Sequence, residues 1–179
     1  MKKYNFTVIA SGIDHALEDD VVDRLFEAGC DDTTVSAQKG LIVLEFDREA
    51  RNFISALFSA ISSVQNAGGR IERIEPDHLV SASEIAKRCG LGRAAISHYA
   101  CGTRGESFPR PVARVTTESP LWDWVEVSSW LHHRDKLSLD IAVQARLVRD
   151  VNQALGARPS HLLHLKQKLK KPERSLEAA

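Results

Sequence analysis

The 179-residue sequence predicts an α+β fold in two unlike parts. Three observations lead there. Residues 4–75 alternate between the period of a strand and the period of a helix, in the order β-α-β-β-α-β. Residues 81–100 carry a helix cap, a glycine and an apolar plug at the spacing of two helices joined by a sharp turn. The charge divides at the same boundary. Residues 1–80 hold eight Lys and Arg against fourteen Asp and Glu, a net −6, and residues 81–179 hold sixteen against ten, a net +6. The formal net charge of zero is the sum of an acidic and a basic domain.

In the first part, Tyr4, Phe6 and Val8 alternate with Asn5 and Thr7, the mark of a half-buried strand. Leu17, Val21, Leu25 and Phe26 then recur at helical spacing, and Gly29 follows as a C-cap. Thr33–Ala37 predicts a short edge strand. Lys39-Gly40 turns the chain into the apolar run Leu41–Phe46, a central strand. Asp47 stands as the expected N-cap of a helix carrying Phe53, Ile54, Leu57, Phe58, Ile61 and Val64. Gly68-Gly69 ends it, and Arg70–Glu75 forms an exposed edge strand stopped by Pro76. This order is that of a ferredoxin-like βαββαβ domain, assigned to residues 1–78.

Little in that domain points to catalysis. Asp14 beside His15 lacks a nucleophile or second base, and a solvated pair at a helix start explains it. Glu18, Asp19, Asp20 and Asp23 do not follow the calcium-loop pattern and fit a wet helix face. A phosphate-binding glycine loop is absent, and the acidic charge disfavours RNA on the open sheet face. Dimerisation or ligand sensing is the expected role.

The second part, residues 79–134, carries the informative motif. Ser81 caps a helix over Ser83–Cys89 and Glu84 reaches back to it. Gly90-Leu91-Gly92 turns the chain into a second helix, Arg93–Ala100. Ala86 must be small where the helices cross, Gly90 supplies a left-handed turn, and Ile96 plugs the core between them. This is a helix-turn-helix pattern. The segment 102–112 is an arginine-bearing loop, and Val112–Thr116 with Leu121–Trp124 predicts a hairpin around Glu118-Ser119-Pro120, a wing. Val127, Trp130 and Leu131 fit a closing helix whose tryptophan packs under the motif, and packing is also the expected role of Trp122 and Trp124. Residues 81–117 hold six basic side chains against two acidic ones, a local +4 suited to a phosphate backbone.

Phe108-Pro109-Arg110-Pro111-Val112, Leu121–Val127 and Trp130-Leu131 resemble the wing and closing helix of excisionase-like, MerR-type winged helices of bacterial regulators. The resemblance covers residues 79–133. It implies double-stranded DNA binding, with the second helix in the major groove and the wing, Phe108–Trp124, on the backbone or minor groove. The long coiled coil of MerR activators is not evident. With Ile96 and Tyr99 buried, helical geometry turns Arg93, Ala94, Ser97 and His98 outward. Arg93, at the helix start, is placed for guanine O6 and N7. Ser97 and His98 are expected to donate to bases or phosphates, and Arg104, Arg110 and Arg114 to hold the backbone.

Residues 135–179 predict a C-terminal helix with an apolar stripe from Leu137 to Leu155, ended by Gly156, and a basic tail of Lys166, Lys168, Lys170, Lys171 and Arg174. A single winged helix covers a short half-site, so a homodimer is expected. Cys30, Cys89 and Cys101 form neither a CxxC nor a disulfide framework. No apolar run reaches the roughly 18 residues of a membrane span, and no signal-peptide core follows Met1, so the chain reads as cytoplasmic. Cys89 and Cys101 are both expected to be buried structural thiols. His132-His133, and His161 with His164, lack the partners of a zinc site, and neither a metal nor a cofactor is expected. The leading reading is a dimeric, sequence-specific transcriptional regulator without enzymatic activity. The alternative is an antitoxin or complex subunit that binds a protein partner and autoregulates through its winged helix.

Overall fold

Two separate patterns of burial build the molecule. The computed structural model describes residues 1–13, 19–156 and 165–169. It divides into one unit of Met1–Pro76 with Asp150–Ala179 and another of Asp77–Arg149.

In the first unit, β1 (Lys2–Ser11) buries every second side chain: Tyr4, Phe6, Val8 and Ala10. Helix α1 (Asp19–Glu27) buries Val21 and Leu25, one turn apart. Its end is a Schellman motif. Gly29, at φ 87°, donates to Phe26 O at 2.9 Å, and Cys30 donates to Leu25 O at 2.9 Å. Phe26 does not join the apolar face as its spacing predicts; it is 64% exposed. Strands β2 (Thr33–Gln38) and β3 (Leu41–Ala50) form a hairpin through Lys39-Gly40, whose φ values are 54° and 77°, as a type I′ turn demands.

β3 runs past Phe46 to Ala50, so Asp47 is a strand residue paired with Asn5 rather than the predicted cap. The alternation simply continues through polar residues, with Phe46 and Ala50 buried and Asp47 and Glu49 exposed. The cap of α2 (Phe53–Asn66) is Asn52, whose Oδ1 accepts from the Ser55 N–H at 2.8 Å. β4 (Arg70–Glu75) completes an antiparallel sheet of order β2-β3-β1-β4. Phe6 lies between Phe46 (centroids 5.6 Å, stacked) and Phe53 (5.7 Å, edge-on), so β1, β3 and α2 share one aromatic core. Arg48 ties the end of α1 to β3. It grips the Asp32 carboxylate with two bonds of 2.6 Å, donates to Gly29 O at 2.7 Å and lies 4.9 Å over the Phe46 ring.

The second unit opens with β5 (Leu79–Val80) and two short helices, α3 (Ala82–Cys89) and α4 (Arg93–Ala100). β6 (Trp122–Asp123), α5 (Trp124–His132) and the first part of α6 (Leu139–Gly156) close it. β5 pairs antiparallel with β6, Val80 opposite Trp122. The predicted hairpin Val112–Thr116 with Leu121–Trp124 is reduced to a single bridge, Ala113 to Leu121. Trp122 and Asp123 have β5 as their partner instead, and Arg114 leaves extended geometry at φ 51°. From Asp150 onward α6 belongs to the first unit. There the Asn152 amide donates to Ile74 O and accepts from Ile74 N–H, both at 2.8 Å, which closes the outer edge of β4. Among the described residues no helix is long and apolar enough to cross a membrane.

Candidate nucleic-acid interface

The helix pair is set by local chemistry. Ser81 accepts from the Glu84 N–H at 3.3 Å while the Glu84 carboxylate takes the Ser81 N–H at 2.7 Å, a complete capping box. The Ser81 N–H, and the Ser81 hydroxyl that also donates to the carboxylate at 2.7 Å, hold the Glu84 carboxyl below the usual carboxylate range. Gly90, at φ 64°, lets α3 end in a left-handed turn, and Gly92 caps α4 without a side chain. Ile85 and Ile96 are fully buried, with Ala86 and Tyr99 beside them in the core of this unit.

Burying Ile96 and Tyr99 fixes the outward face of α4, and Arg93, Ala94, Ser97 and His98 are all exposed on it. His98 is less free than its exposure suggests. Its Nδ1 lies 2.9 Å from Thr103 Oγ1, and that hydroxyl donates to the His98 carbonyl at 3.1 Å. These contacts tie the His98 ring to the first residues of the following loop.

The loop after α4 is held by aromatic anchors. Phe108 packs at 5.9 Å from Tyr99, 5.0 Å from Trp130 and 6.4 Å from Trp122. Trp130 Nε1–H donates to Glu106 O and Trp122 Nε1–H to Pro109 O, both at 3.1 Å. Arg134 also donates to Glu106 O, at 2.8 Å, while its guanidinium lies 3.9 Å over the Trp130 ring. Arg104 and Arg110, both exposed, bracket this anchored segment. The Arg104 N–H meets the His98 carbonyl at 3.2 Å, which joins the start of the loop to the end of α4. Arg114 is exposed in the turn that the single Ala113–Leu121 bridge encloses, where Thr117 closes on its carbonyl. Among the described residues no hydrogen bond or ion pair joins Arg110 or Arg114 to the α4 face. The three tryptophans are core residues, each at most 8% exposed.

Two arginines of the basic half have structural work. Arg88 donates to Asp77 O at 2.9 Å and lies 5.2 Å over the Trp124 ring. Arg149 pairs at 3.3 Å with Asp123, the residue that caps α5. Sequence reading missed Arg134, Arg149 and the tryptophan anchors, because each joins residues 13 to 28 positions apart. The nearest signal was an arginine shortly after a tryptophan. Asp14, His15, Glu18, His161, His164, Lys170, Lys171 and Arg174 lie outside the described residues. Lys166 lies 5.7 Å over the Phe58 ring and 3.3 Å from Ser62 Oγ, a packed rather than a projecting lysine.

The thiols divide by burial. Cys30 is buried and Cys89 half-buried, and desolvation pushes both thiols up to about 11; Cys101 is exposed, so of the two cysteines around α4, both expected to be buried, one is half-buried and the other open to solvent. The thiolate is the nucleophile, so at pH 8 an alkylating reagent should modify Cys101 in the native protein and reach Cys30 and Cys89 only after unfolding. Peptide mass mapping checks this, and labelling of Cys89 at the rate of Cys101 would contradict it.

Compared with known protein families, curated proteins and solved structures, the chain matches none.

Proposed function

We propose that the protein is a cytoplasmic, homodimeric, sequence-specific regulator of transcription that binds double-stranded DNA. In this reading the first unit is a ferredoxin-like domain and the second a winged helix-turn-helix. α4 enters the major groove, and the segment Phe108–Trp124 lies on the backbone or minor groove. One observation carries the reading: α4 turns Arg93, Ala94, Ser97 and His98 to solvent while its other face is locked by Ile96 and Tyr99. The rigid loop that carries Arg104 and Arg110 supports it, because phosphate-binding arginines lose less freedom on a fixed loop than on a mobile one. Arg114 supports it as well. A left-handed arginine costs about 1 kcal/mol that glycine would avoid, so the side chain serves something other than the turn.

Footprinting with the full chain on DNA selected from a random pool should return a protected site; no protected site would end the proposal. On that site Arg93→Ala should cost roughly 1–3 kcal/mol and leave binding to random DNA nearly unchanged. Arg110→Ala and Arg114→Gly should weaken both equally and lower the salt slope by about 0.9 each, one phosphate contact apiece. Equal losses for Arg93→Ala on both DNAs would refute base reading by that residue.

A further inference from the structure

The two edges of the sheet are treated oppositely. The β4 edge is closed at Ile74 by the Asn152 amide, and its strand carries Arg70, Glu72, Arg73 and Glu75. β2, at the other edge, has no charged side chain from Thr33 to Gln38. Proteins protect free edges with charge, proline or cover, and β2 has none of these among the described residues.

Hairpin geometry identifies its open groups. The Lys39-Gly40 turn closes on Gln38 and Leu41 as a hydrogen-bonded pair. Alternation then directs the N–H and C=O of Gln38, Ser36 and Thr34 toward β3. The bond from Asp47 N–H to Asp32 O, at 3.0 Å, continues the same series. Thr33, Val35 and Ala37 therefore aim their backbone groups away from the sheet, and among the described residues β3 is the only strand that pairs with β2.

We infer that this edge is the homodimer interface, β2 pairing antiparallel with β2 of a second copy to make one continuous sheet. It gives the homodimer of the proposed reading its contact surface and rests on that part of it, not on DNA binding. Directly opposed residues must share a face and both point their backbone groups across the junction. The register that satisfies both with the twofold axis at the strand centre sets Val35 opposite Val35 of the partner subunit. It also sets Thr33 opposite Ala37 of the partner subunit. One step further out, Asp31 meets Lys39 of the partner subunit, at both ends of the junction. The strand enters on acid and leaves on base, so antiparallel self-pairing is complementary in charge while parallel pairing is not. α1, which leads into β2 through Gly29–Asp32, carries Val22 and Phe26, the large exposed apolar side chains of this unit apart from Met1 among the described residues.

Sedimentation of the full chain should show a dimer. Amide exchange should be slow at Thr33, Val35 and Ala37 in concentrated protein and speed up on dilution. Asp31→Lys and Lys39→Asp, each placing like charges in contact, should raise the dimer dissociation constant about tenfold at low salt. The double reversal should restore it. Both positions are exposed, and Asp tolerates the left-handed backbone at position 39. A monomeric chain overturns the proposal and leaves the edge to a strand from another protein. A dimer whose three amides exchange freely, or a double reversal that fails to rescue, also overturns it. Footprinting decides the other reading separately: a monomer that protects DNA removes only this interface, and a β2-paired dimer without a footprint removes only DNA binding.

Discussion

Trp130→Ala should lower the stability of the second unit by roughly 3–5 kcal/mol, the range for deleting a large aromatic side chain from a core. Trp130 is 8% exposed and meets Tyr99 at 5.1 Å and Phe108 at 5.0 Å, both edge-on. Its loss would open a cavity among rigid rings that cannot close it. The same ring carries the Arg134 guanidinium and donates to Glu106 O, so two anchors of the 102–110 loop go together. Trp130→Phe separates the contributions. It keeps the ring packing and loses the indole N–H, but Glu106 O still accepts from Arg134, so no carbonyl is orphaned. Its cost should be about 1–2 kcal/mol, the lost bond plus a smaller void. Urea titrations followed by circular dichroism, with unchanged m-values, measure both. Equal costs for the two variants would show that the hydrogen bond, not the packing, holds the loop.

What the sequence made legible was what is encoded over a few residues. The Ser81–Glu84 box, the left-handed Gly90 and the Gly29 helix end each depend on neighbours within one or two turns, and each was readable. The outward face of α4 was readable for a related reason: Ile96 and Tyr99 lie one turn apart, so helical period alone assigns the opposite face. Legibility failed where competition decides. Asp47 is a good cap by composition, yet it sits in register with Asn5, and the ladder outweighs the cap. The hairpin at 112–124 was predicted from local residues, but Trp122 and Asp123 are held by Leu79 and Val80, more than forty positions earlier. The charge of the basic half was read as free for a partner, and part of it serves the fold. Arg88, Arg134 and Arg149 each bind a carbonyl or carboxylate of their own unit, and the proposed interface draws on the exposed Arg93, Arg104, Arg110 and Arg114.

Gly105→Ala should cost about 2–4 kcal/mol, more than a loop glycine normally does. Gly105 has φ 73°, and a Cβ there would stand 2.9 Å from Trp130 Cη2 and 3.0 Å from Tyr99 Cδ1. The cost therefore has two parts: about 1 kcal/mol for a left-handed alanine and roughly 1–3 kcal/mol for overpacking against rings that cannot bend aside. Gly102 provides the control. It has nearly the same backbone, φ 70°, but nothing within 4 Å of the added atom, so Gly102→Ala should cost only the first part. The steric part also belongs to a pair. In a Trp130→Ala background most of it should vanish, leaving only the Tyr99 contact, and the double-mutant cycle should show a coupling of about 1–2 kcal/mol. If Gly105→Ala costs no more than Gly102→Ala, the loop can move off the tryptophan, and Arg104 and Arg110 are not held as rigidly as DNA binding by a fixed wing requires.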